Sequence, residues 1–492
     1  SVLPPVAPKG STDPILHLHI LSLSSMKYLI SLALLGAVSI TSCQAAPKKP
    51  NGTELAGPER QAVVSYFKAS LSGGKAPALL EKALELNSLD QARKEVWSLW
   101  AQSNDPNETG LPALSPLTTN SSPRSWVLSP ESYGRDRIPA IMPYYYGAKG
   151  DKPSAGYPLF LYLHGSGPKA HEWKTGLALA LSFQDSPSVY FIPQIPNGEG
   201  VADGQLYRWW QRSKLEAWEK LLRLSFLSGS IDPKRIYFFG ISEGGYGSQR
   251  LASYYADYLA GAGPMAGGEP LINAPVENLQ HIAFSLRTGA NDTQFHRSEL
   301  TGYTRDALQK MAAAHPGYYK HFIDIIPKYG HAIPYGPTTP YLAQHQRTAL
   351  PKSVHWEDFP VDGLYRKGFY NLVPLNRPQG TDRIYYEEEI KDNTVDLKIR
   401  SVKYQDSQVS SYYTSFRLVL LYDKTYTDAT GGKLRVYLSP ELVDLSRPVR
   451  IRVNGREVYS GAVRADWKHL TSSCALFFDP LRLFPAAVEV DY

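Results

Sequence analysis

The stretch FFGISEGGYG, residues 238–247, carries a serine flanked by glycines at the point where an apolar run ends. The run RIYFF is typical of a buried strand, and apolar residues recur at helical spacing after the serine, which predicts a helix. A side chain on such a tight turn would clash with the neighbouring strand and helix at Gly240 and Gly244, so only glycine fits there. The pattern therefore predicts that Ser242 lies on a strained strand-to-helix turn, a position typical of an enzyme nucleophile.

Four further apolar runs lie around this strand, and helical stretches separate them. Near-continuous apolar strands that alternate with helices are typical of a parallel sheet covered on both faces. Functional sites in such folds lie at the carboxyl ends of the strands. We therefore predict an α/β fold with a doubly wound, mostly parallel sheet over residues 126–353. The predicted strands are 159–163, 188–192, 236–241, 282–286 and 319–326.

The pattern differs on either side of this region. Residues 59–125 begin with apolar residues at helical spacing, which predicts two amphipathic helices, the second over residues 76–102. Residues 354–492 show alternation with period two, as in TVDLKIRSV, and an Asn454-Gly455 pair typical of a tight hairpin. We expect an N-terminal helical segment and a C-terminal all-β, sandwich-like domain.

The N-terminal residues resemble a bacterial lipoprotein signal. Residues 26–43, MKYLISLALLGAVSITSC, contain an apolar run too short for a stable membrane span and end in ITSC, which resembles a lipobox. The resemblance implies cleavage before Cys43, lipid attachment to its thiol and a cell-envelope protein facing the periplasm or the exterior. Residues 1–42 are then an upstream segment followed by the signal peptide, and both lie outside the fold. Residues 43–58 form a linker. The alternative is an ordinary signal peptide cut a few residues later.

A serine hydroxyl becomes a nucleophile only when a base takes its proton and an acid orients that base. Asp292 follows one predicted strand in a loop rich in glycine and asparagine, and His331 follows the last predicted strand. Both loops leave the sheet at the same edge as Ser242, and the chain order Ser, Asp, His agrees with serine catalysis on such sheets. We predict Asp292 as the acid and His331 as the base.

Other residues compete for these roles. Asp292 could instead cap the helix that follows it. Asp324 is disfavoured as the acid because it lies inside a strand of alternating polarity. His321 lies in the middle of the same strand, and His296 follows the predicted acid too closely to leave room for the last strand. Ser242 could also be a plain turn serine.

Acyl transfer also needs two N–H donors for the oxyanion. The loop His164-Gly165-Ser166-Gly167 directly follows a predicted strand, and its glycines let the backbone approach a ligand. We predict one donor from Ser166 or Gly167, without deciding between them. The second is the N–H of Glu243, the residue after the nucleophile. His164 is expected to hold the loop in place.

The segment Arg208-Trp209-Trp210 lies in a loop that leaves the carboxyl end of the predicted strand 188–192. An indole stacked on a sugar or phenolic ring, with an arginine bound to a carboxylate or carbonyl, would make a substrate-binding surface. We predict these three residues as substrate-binding. The alternative is a tryptophan pair that anchors a long loop to the body.

Composition excludes several other functions. The 492 residues carry a formal net charge of +6 without a dense block of Lys and Arg, so nucleic-acid binding has little support. Cys43 and Cys474 are the two cysteines, so we predict no disulfide framework and a buried free thiol at Cys474. The chain lacks metal-ligand spacing such as His-Glu-x-x-His. We expect no cofactor and no metal, and a small-molecule or glycan substrate.

Four segments together resemble the α/β-hydrolase superfamily, of the esterase and prolyl-oligopeptidase-like kind: YLHGSG, GISEGGYG, TGANDTQF and YGHAIPY. The resemblance covers residues 126–350 and implies a triad of Ser242, Asp292 and His331 with acyl-enzyme chemistry. We expect a serine hydrolase, favoured as a carboxylesterase acting on acetylated or feruloylated carbohydrate. The alternatives are a prolyl-oligopeptidase-like serine peptidase and a non-catalytic glycan-binding lipoprotein on a hydrolase scaffold.

Overall fold

The computed structural model describes residues 54–129, 140–196, 208–413 and 417–492. The predictions for Cys43, for residues 1–42 and for most of the linker lie outside these ranges. Among the described helices, none has the length and apolar character needed to cross a membrane.

An eight-stranded sheet forms the centre of the molecule, in the order β1-β2-β4-β3-β5-β6-β7-β8. All neighbours from β4 to β8 pair in parallel, whereas β2 runs antiparallel to both of its neighbours. The strands are β1 (Arg124–Leu128), β2 (Ala140–Lys149), β3 (Tyr157–Leu163), β4 (Ser188–Pro193), β5 (Ile231–Ile241), β6 (Gly261–Met265), β7 (Ala283–Gly289) and β8 (His321–Ile326).

Helices cover both faces of this sheet, as the apolar runs predicted. Along β3, Leu159 and Leu161 point to one face and pack with α4 and α5, while Phe160 and Tyr162 point to the other and pack with α3 and α7. Strand order, strand direction and helix placement are those of the α/β-hydrolase fold. The helices are α3 (Lys169–Ser182), α4 (Arg212–Leu227), α5 (Glu243–Tyr255), α6 (Arg297–Ala314) and α7 (Thr338–Leu342).

Three strands of the sheet lie outside the five predicted apolar runs. Strand β6 reads GAGPM and offers no apolar periodicity, yet it is fully buried between β5 and β7. Its glycines are required by close packing, since a Cβ at Gly263 would lie 3.0 Å from a methyl of Leu342. Strands β1 and β2 form the antiparallel edge, where only one strand face is regularly buried.

The C-terminal region folds into two β-sheets, in agreement with the predicted sandwich-like arrangement. One sheet has the order β10-β14-β17, and the other has the order β16-β15-β12-β11-β9 with β13 added to β12. Asn454 and Gly455 form the β15–β16 turn with φ of 48° and 81°. The strands are β9 (Ser353–Asp358), β10 (Leu372–Asn376), β11 (Ile384–Lys391), β12 (Thr394–Val409), β13 (Val419–Asp428), β14 (Lys433–Leu438), β15 (Val449–Val453), β16 (Arg456–Gly461) and β17 (Ala486–Asp491).

One helix, α8 (Trp467–Phe477), interrupts this otherwise all-β region and was not predicted. It begins at the N-cap Asp466, whose carboxylate accepts the N–H of Lys468. Cys474 on this helix is a buried free thiol, as predicted.

The N-terminal helices pack on α8. Helix α1 (Gly57–Ser72) and helix α2 (Leu89–Ser103) share an apolar core with it that includes Phe67, Val96 and Trp467. The second helix is shorter than the predicted 76–102, because the first part of that range is extended. There the backbone of Lys82 and Leu84 bonds to the segment just before α8, so tertiary pairing overrides local helix propensity.

Candidate active site

Ser242 lies between β5 and α5 with φ of 57° and ψ of −114°, a left-handed conformation that a residue with a side chain rarely adopts. The glycines on either side make this turn possible. A Cβ at Gly240 would lie 2.6 Å from the carbonyl oxygen of Leu163, and a Cβ at Gly244 would overlap that same oxygen. The predicted strand-to-helix turn is therefore present, and its steric requirement for glycine is explained by the backbone of β3.

The structure brings the three predicted catalytic residues into one chain of hydrogen bonds. The Ser242 Oγ lies 2.9 Å from Nε2 of His331, and Nδ1 of His331 lies 2.7 Å from Oδ2 of Asp292. The imidazole side chain is 46% exposed, whereas the carboxylate is buried. With Nδ1–H donating to the carboxylate, Nε2 is free to accept the serine hydroxyl proton.

Asp292 has a second partner on its other carboxylate oxygen. Arg297, the first residue of α6, donates from Nη1 to Oδ1 of Asp292 over 2.8 Å. The loop after β7 is bound to the loop after β8 by the N–H of Asn291, which donates to the carbonyl of Tyr329 over 2.8 Å. A Cβ at Gly289 would overlap the backbone of the β8 loop. The loops that carry Asp292 and His331 are thus in direct backbone contact.

The competing residues have other partners. His296 bonds to Glu299 and to Ser410, and Nδ1 of His321 bonds to the carbonyl of its near neighbour Tyr319. Asp324 pairs with an arginine on β7 at 3.1 Å. None of these contacts involves Ser242.

The predicted oxyanion donors lie beside the nucleophile. The Cβ of Ser242 is 3.4 Å from the position of a Cβ on Gly165, so the loop after β3 contacts the nucleophile directly. Ser166 and Glu243 both line the cleft that contains Ser242. Glu243 is the first residue of α5, so its N–H has no partner within the helix. Of the two candidates for the first donor, Ser166 lines this cleft and Gly167 does not, which favours Ser166.

His164 holds the oxyanion loop in place, as expected. Its ring is fully buried, Nε2 accepts the N–H of Ile195 over 3.0 Å, and Nδ1 donates to the carbonyl of Gly165 over 2.6 Å. Burial lowers the pKa of His164 to about 4. The ring is therefore neutral at physiological pH, with the proton on Nδ1, and it serves as a fixed link between two loops.

The Arg208-Trp209-Trp210 segment divides between two roles. Trp209 is fully buried and its Nε1 donates to the carbonyl of His164 over 2.9 Å. The prediction that Trp209 binds substrate is therefore corrected: it anchors the loop. Trp210 and Arg208 line the cleft, and the indole of Trp210 lies under the Arg250 guanidinium at 4.0 Å from the ring centroid.

A cleft of about 720 Å³ opens in front of Ser242. One wall carries two ion pairs, Arg208 with Glu243 at 2.8 Å and Arg250 with Glu269 at 2.6 Å. Burial raises the pKa of the Glu243 carboxyl, and the adjacent Arg208 opposes that rise. Less polar side chains complete the lining of the cleft: Tyr246, Pro270, Phe295, Leu300 and Leu418.

Sequence reasoning missed several of these cleft residues. Arg250 could have been found, because Glu243, Tyr246 and Arg250 are spaced to lie on one face of α5. Glu269 and Leu418 carry no such signal, since they come from a loop after β6 and from the loop between β12 and β13. Within the described ranges, no group of three or more His, Cys, Asp or Glu residues could hold a metal ion.

Comparison with known proteins gives matches only among solved structures. No protein-family model and no curated protein matches the chain. A thermostable esterase is 20% identical with a TM-score of 0.33, and the match covers 46% of this chain and 63% of the esterase. A feruloyl esterase module from Clostridium thermocellum is 14% identical with a TM-score of 0.28, covering 48% of this chain and 89% of the module. A candidate dipeptidyl aminopeptidase IV from Bacteroides ovatus is 12% identical with a TM-score of 0.32, covering 46% of this chain and 34% of that protein.

Proposed function

We propose that this α/β-hydrolase-fold protein is a serine hydrolase that cleaves carboxylic esters, with acetylated or feruloylated carbohydrate as the substrate class. The single observation that carries the proposal is the hydrogen-bond chain from Ser242 through His331 to Asp292, with 2.9 Å between Oγ and Nε2. A serine in a strained turn, a base and a buried acid are the parts that acyl transfer needs.

The chemistry follows from this geometry. His331 takes the Ser242 proton at Nε2 while Oγ attacks the ester carbonyl, and Asp292 stabilises the resulting imidazolium. The N–H groups of Glu243 and Ser166 bind the oxyanion of the tetrahedral intermediate. The imidazolium then gives its proton to the leaving alcohol, and water repeats the sequence on the acyl-enzyme. This reaction needs no cofactor.

The balanced charges along the cleft favour an uncharged substrate. Glu243 and Glu269 are each bound by an arginine, so their charges are already balanced. Sugar hydroxyls can bond to paired ions without displacing either partner, and the Trp210 ring can pack on a sugar or aryl face. A substrate ammonium would instead compete with Arg208 or Arg250 for a carboxylate.

A serine peptidase is the second candidate, and one observation favours it. Glu243 and Glu269 both line the cleft, and a pair of carboxylates could bind a peptide amino group. A panel of acylated sugars and peptidyl anilides separates the two functions. Turnover of anilides with a free N-terminus, and none of acylated sugars, would favour the peptidase.

Hydrolysis of p-nitrophenyl acetate tests the proposed activity. The wild-type protein should turn the ester over, and Ser242→Ala should remove the activity without altering the fold. Ser182→Ala is the matched control, because it removes the hydroxyl of an exposed serine at the end of α3, outside the cleft lining. Failure of every ester and amide, with glycan binding unaffected by Ser242→Ala, would instead support a non-catalytic glycan-binding lipoprotein.

The sequence at Cys43 supports a cell-envelope address for this activity, through a lipid on the Cys43 thiol. Expressed in bacteria, the protein should partition into the detergent phase of a Triton X-114 extract, and Cys43→Ser should move it to the aqueous phase. Recovery of the wild-type protein in the aqueous phase would contradict the anchor.

A further inference from the structure

The β12–β13 hairpin of the C-terminal region reaches the candidate active site. Strand β12 pairs with β11 as far as Ser401, and from Lys403 to Val409 its ladder partner is β13. The burial of β12 changes at the same point, from alternating buried residues to mostly exposed ones. A two-stranded ribbon has little stability by itself, so its position depends on its contacts with the rest of the chain. Tyr404 and Lys424 bond to Glu357 near its base, and further contacts hold its end.

The end of this ribbon is bound to α6 and to the loop that carries the acid. Gln408 bonds to Tyr303 at 3.0 Å and to Glu299 at 3.2 Å. Ser410 Oγ lies 2.7 Å from Nε2 of His296. The backbone N–H of Phe295 donates to the hydroxyl of Tyr413 over 2.7 Å. These contacts join the ribbon to the residues that directly follow Asp292.

The contacted loop has an unfavourable backbone. Phe295 and His296 are consecutive non-glycine residues in the left-handed region, with φ of 53° and 56°. Such residues persist only where surrounding contacts hold them. The contacts from Tyr413 and Ser410 fall on these two residues, so the ribbon stabilises the turn that leads into α6.

Aromatic and charged groups continue these contacts to the nucleophile. The ring of Tyr413 stacks on Phe295 at 5.3 Å with 10° between the planes. The Arg297 guanidinium lies 5.3 Å from the centroid of the same Phe295 ring, and it donates to Asp292 over 2.8 Å. Asp292 then binds His331, which binds Ser242.

We propose that Tyr413 is a positioning residue for the candidate active site, acting through Phe295 and Arg297 on the orientation of Asp292 and His331. The C-terminal region would then be required for efficient catalysis as well as for stability. This inference rests on the proposed hydrolase function and adds a role for the ribbon. Leu418, the residue before β13, lines the cleft itself.

Steady-state kinetics on p-nitrophenyl acetate test this role. Tyr413→Ala should lower kcat by about tenfold or more, because a small misplacement of catalytic groups is costly, and should leave KM within about twofold. Tyr413→Phe keeps the ring stack and loses only the hydroxyl acceptor, so it should recover most of kcat. Val409→Ala is the control, because Val409 is 40% exposed at the end of β12, and it should match the wild type.

Two results would overturn the inference: wild-type kcat in Tyr413→Ala, or a change confined to KM. If Tyr413→Ala fails to fold, as judged by its thermal midpoint, Gln408→Ala takes its place, since it loosens the ribbon from α6 and should lower kcat in the same direction. Wild-type kinetics in that variant would also overturn the role. A wild-type protein that hydrolyses no ester would count against the proposed function instead, so the two failures are distinguishable.

Discussion

The buried carboxylate of Asp292 has two partners, His331 on one oxygen and Arg297 on the other. Asp292→Asn keeps the size of the side chain, but an amide can donate to Nδ1 and stabilise the wrong tautomer of His331. We expect kcat to fall by about 10³-fold or more, with KM little changed. Ester hydrolysis by Asp324→Asn, whose side chain binds a different arginine, should match the wild type. Full activity in Asp292→Asn would contradict the assignment of the acid.

The buried carboxyl group of Glu388 should make the free energy of unfolding depend on pH. Glu388 is fully buried and bonds to Nδ2 of Asn371 at 2.9 Å, and burial raises the pKa of Glu388 to about 8. At a pH between the usual pKa of a glutamate, 4.5, and the raised pKa of about 8, Glu388 keeps its proton in the folded protein but loses it in the unfolded chain. Stability should therefore fall as the pH rises from about 4.5 to about 8.

The substitution Glu388→Gln removes this titration. The variant should resemble the wild type at pH 5 and be more stable at pH 8, by on the order of 3 kcal/mol, in urea unfolding curves. Glu457→Gln, at an exposed position on β16, is the control and should leave the pH dependence unchanged. Equal slopes for the wild type and Glu388→Gln would show that Glu388 does not titrate in this way.

The sequence predicted which three side chains meet at the candidate active site. It predicted less well which residues line the cleft around them. Ser242, Asp292 and His331 each follow a strand of the parallel sheet, so topology alone brings them to one edge. Trp209 was misassigned because its neighbour Trp210 does line the cleft. Adjacent residues in a loop can point in opposite directions, and no periodicity in the sequence distinguishes them.

Helices α1, α2 and α8 form an apolar core that depends on packing between distant parts of the sequence. Helix α8 follows α1 and α2 by hundreds of residues in sequence. Phe67 on α1 is fully buried against Trp100 with ring centroids 5.1 Å apart. Phe67→Ala should lower the free energy of unfolding by about 3–5 kcal/mol, measured by urea denaturation. Ester hydrolysis by the folded protein should stay at the wild-type level.

The matched control for that core is Leu86→Ala, because Leu86 is partly exposed between the two N-terminal helices. It should change the unfolding free energy only slightly. A Phe67→Ala protein as stable as Leu86→Ala would mean that the N-terminal helices contribute little to the folded state.

The elements that prediction missed share a physical cause. The extended segment before α2 has a helical apolar pattern but pairs with residues next to α8. Strand β6 has too few side chains to show any pattern. In both cases the deciding partner lies far away in sequence, so local periodicity carries no information about it.

Across the whole molecule, a buried ion network joins the hydrolase fold to the C-terminal region. Arg482 binds Asp257 at 2.5 Å and Asp479 at 2.7 Å, and Asp479 also binds Arg347 at 2.6 Å. All of these side chains are almost completely buried. Loss of one partner leaves a buried charge without compensation, so the network makes the two regions interdependent.

Arg482→Met should therefore lower the free energy of unfolding by about 3–5 kcal/mol in urea denaturation followed by circular dichroism. Asp396→Asn disrupts an ion pair that is about half exposed and 3.7 Å long, and its effect should be within about 1 kcal/mol. A loss of stability in Arg482→Met no larger than that in Asp396→Asn would contradict the role of the network.

Local patterns in the sequence account for only part of this architecture. The α/β-hydrolase fold and the β-rich C-terminal region both follow from strand patterns. That Tyr413 and Leu418 reach the candidate active site depends on the length and direction of the β12–β13 ribbon, which no local pattern encodes. The lining of the cleft is thus shared between parts of the chain that are far apart in sequence.

The proposed hydrolase function requires that His331 and Asp292 activate Ser242. Intact-mass spectrometry after incubation with a fluorophosphonate, followed by peptide mapping, tests this activation without any choice of substrate. We expect a single adduct on Ser242 that is absent from Ser242→Ala and slow to form in His331→Ala. No adduct on the folded wild-type protein, or an adduct on another residue that persists in Ser242→Ala, would contradict it.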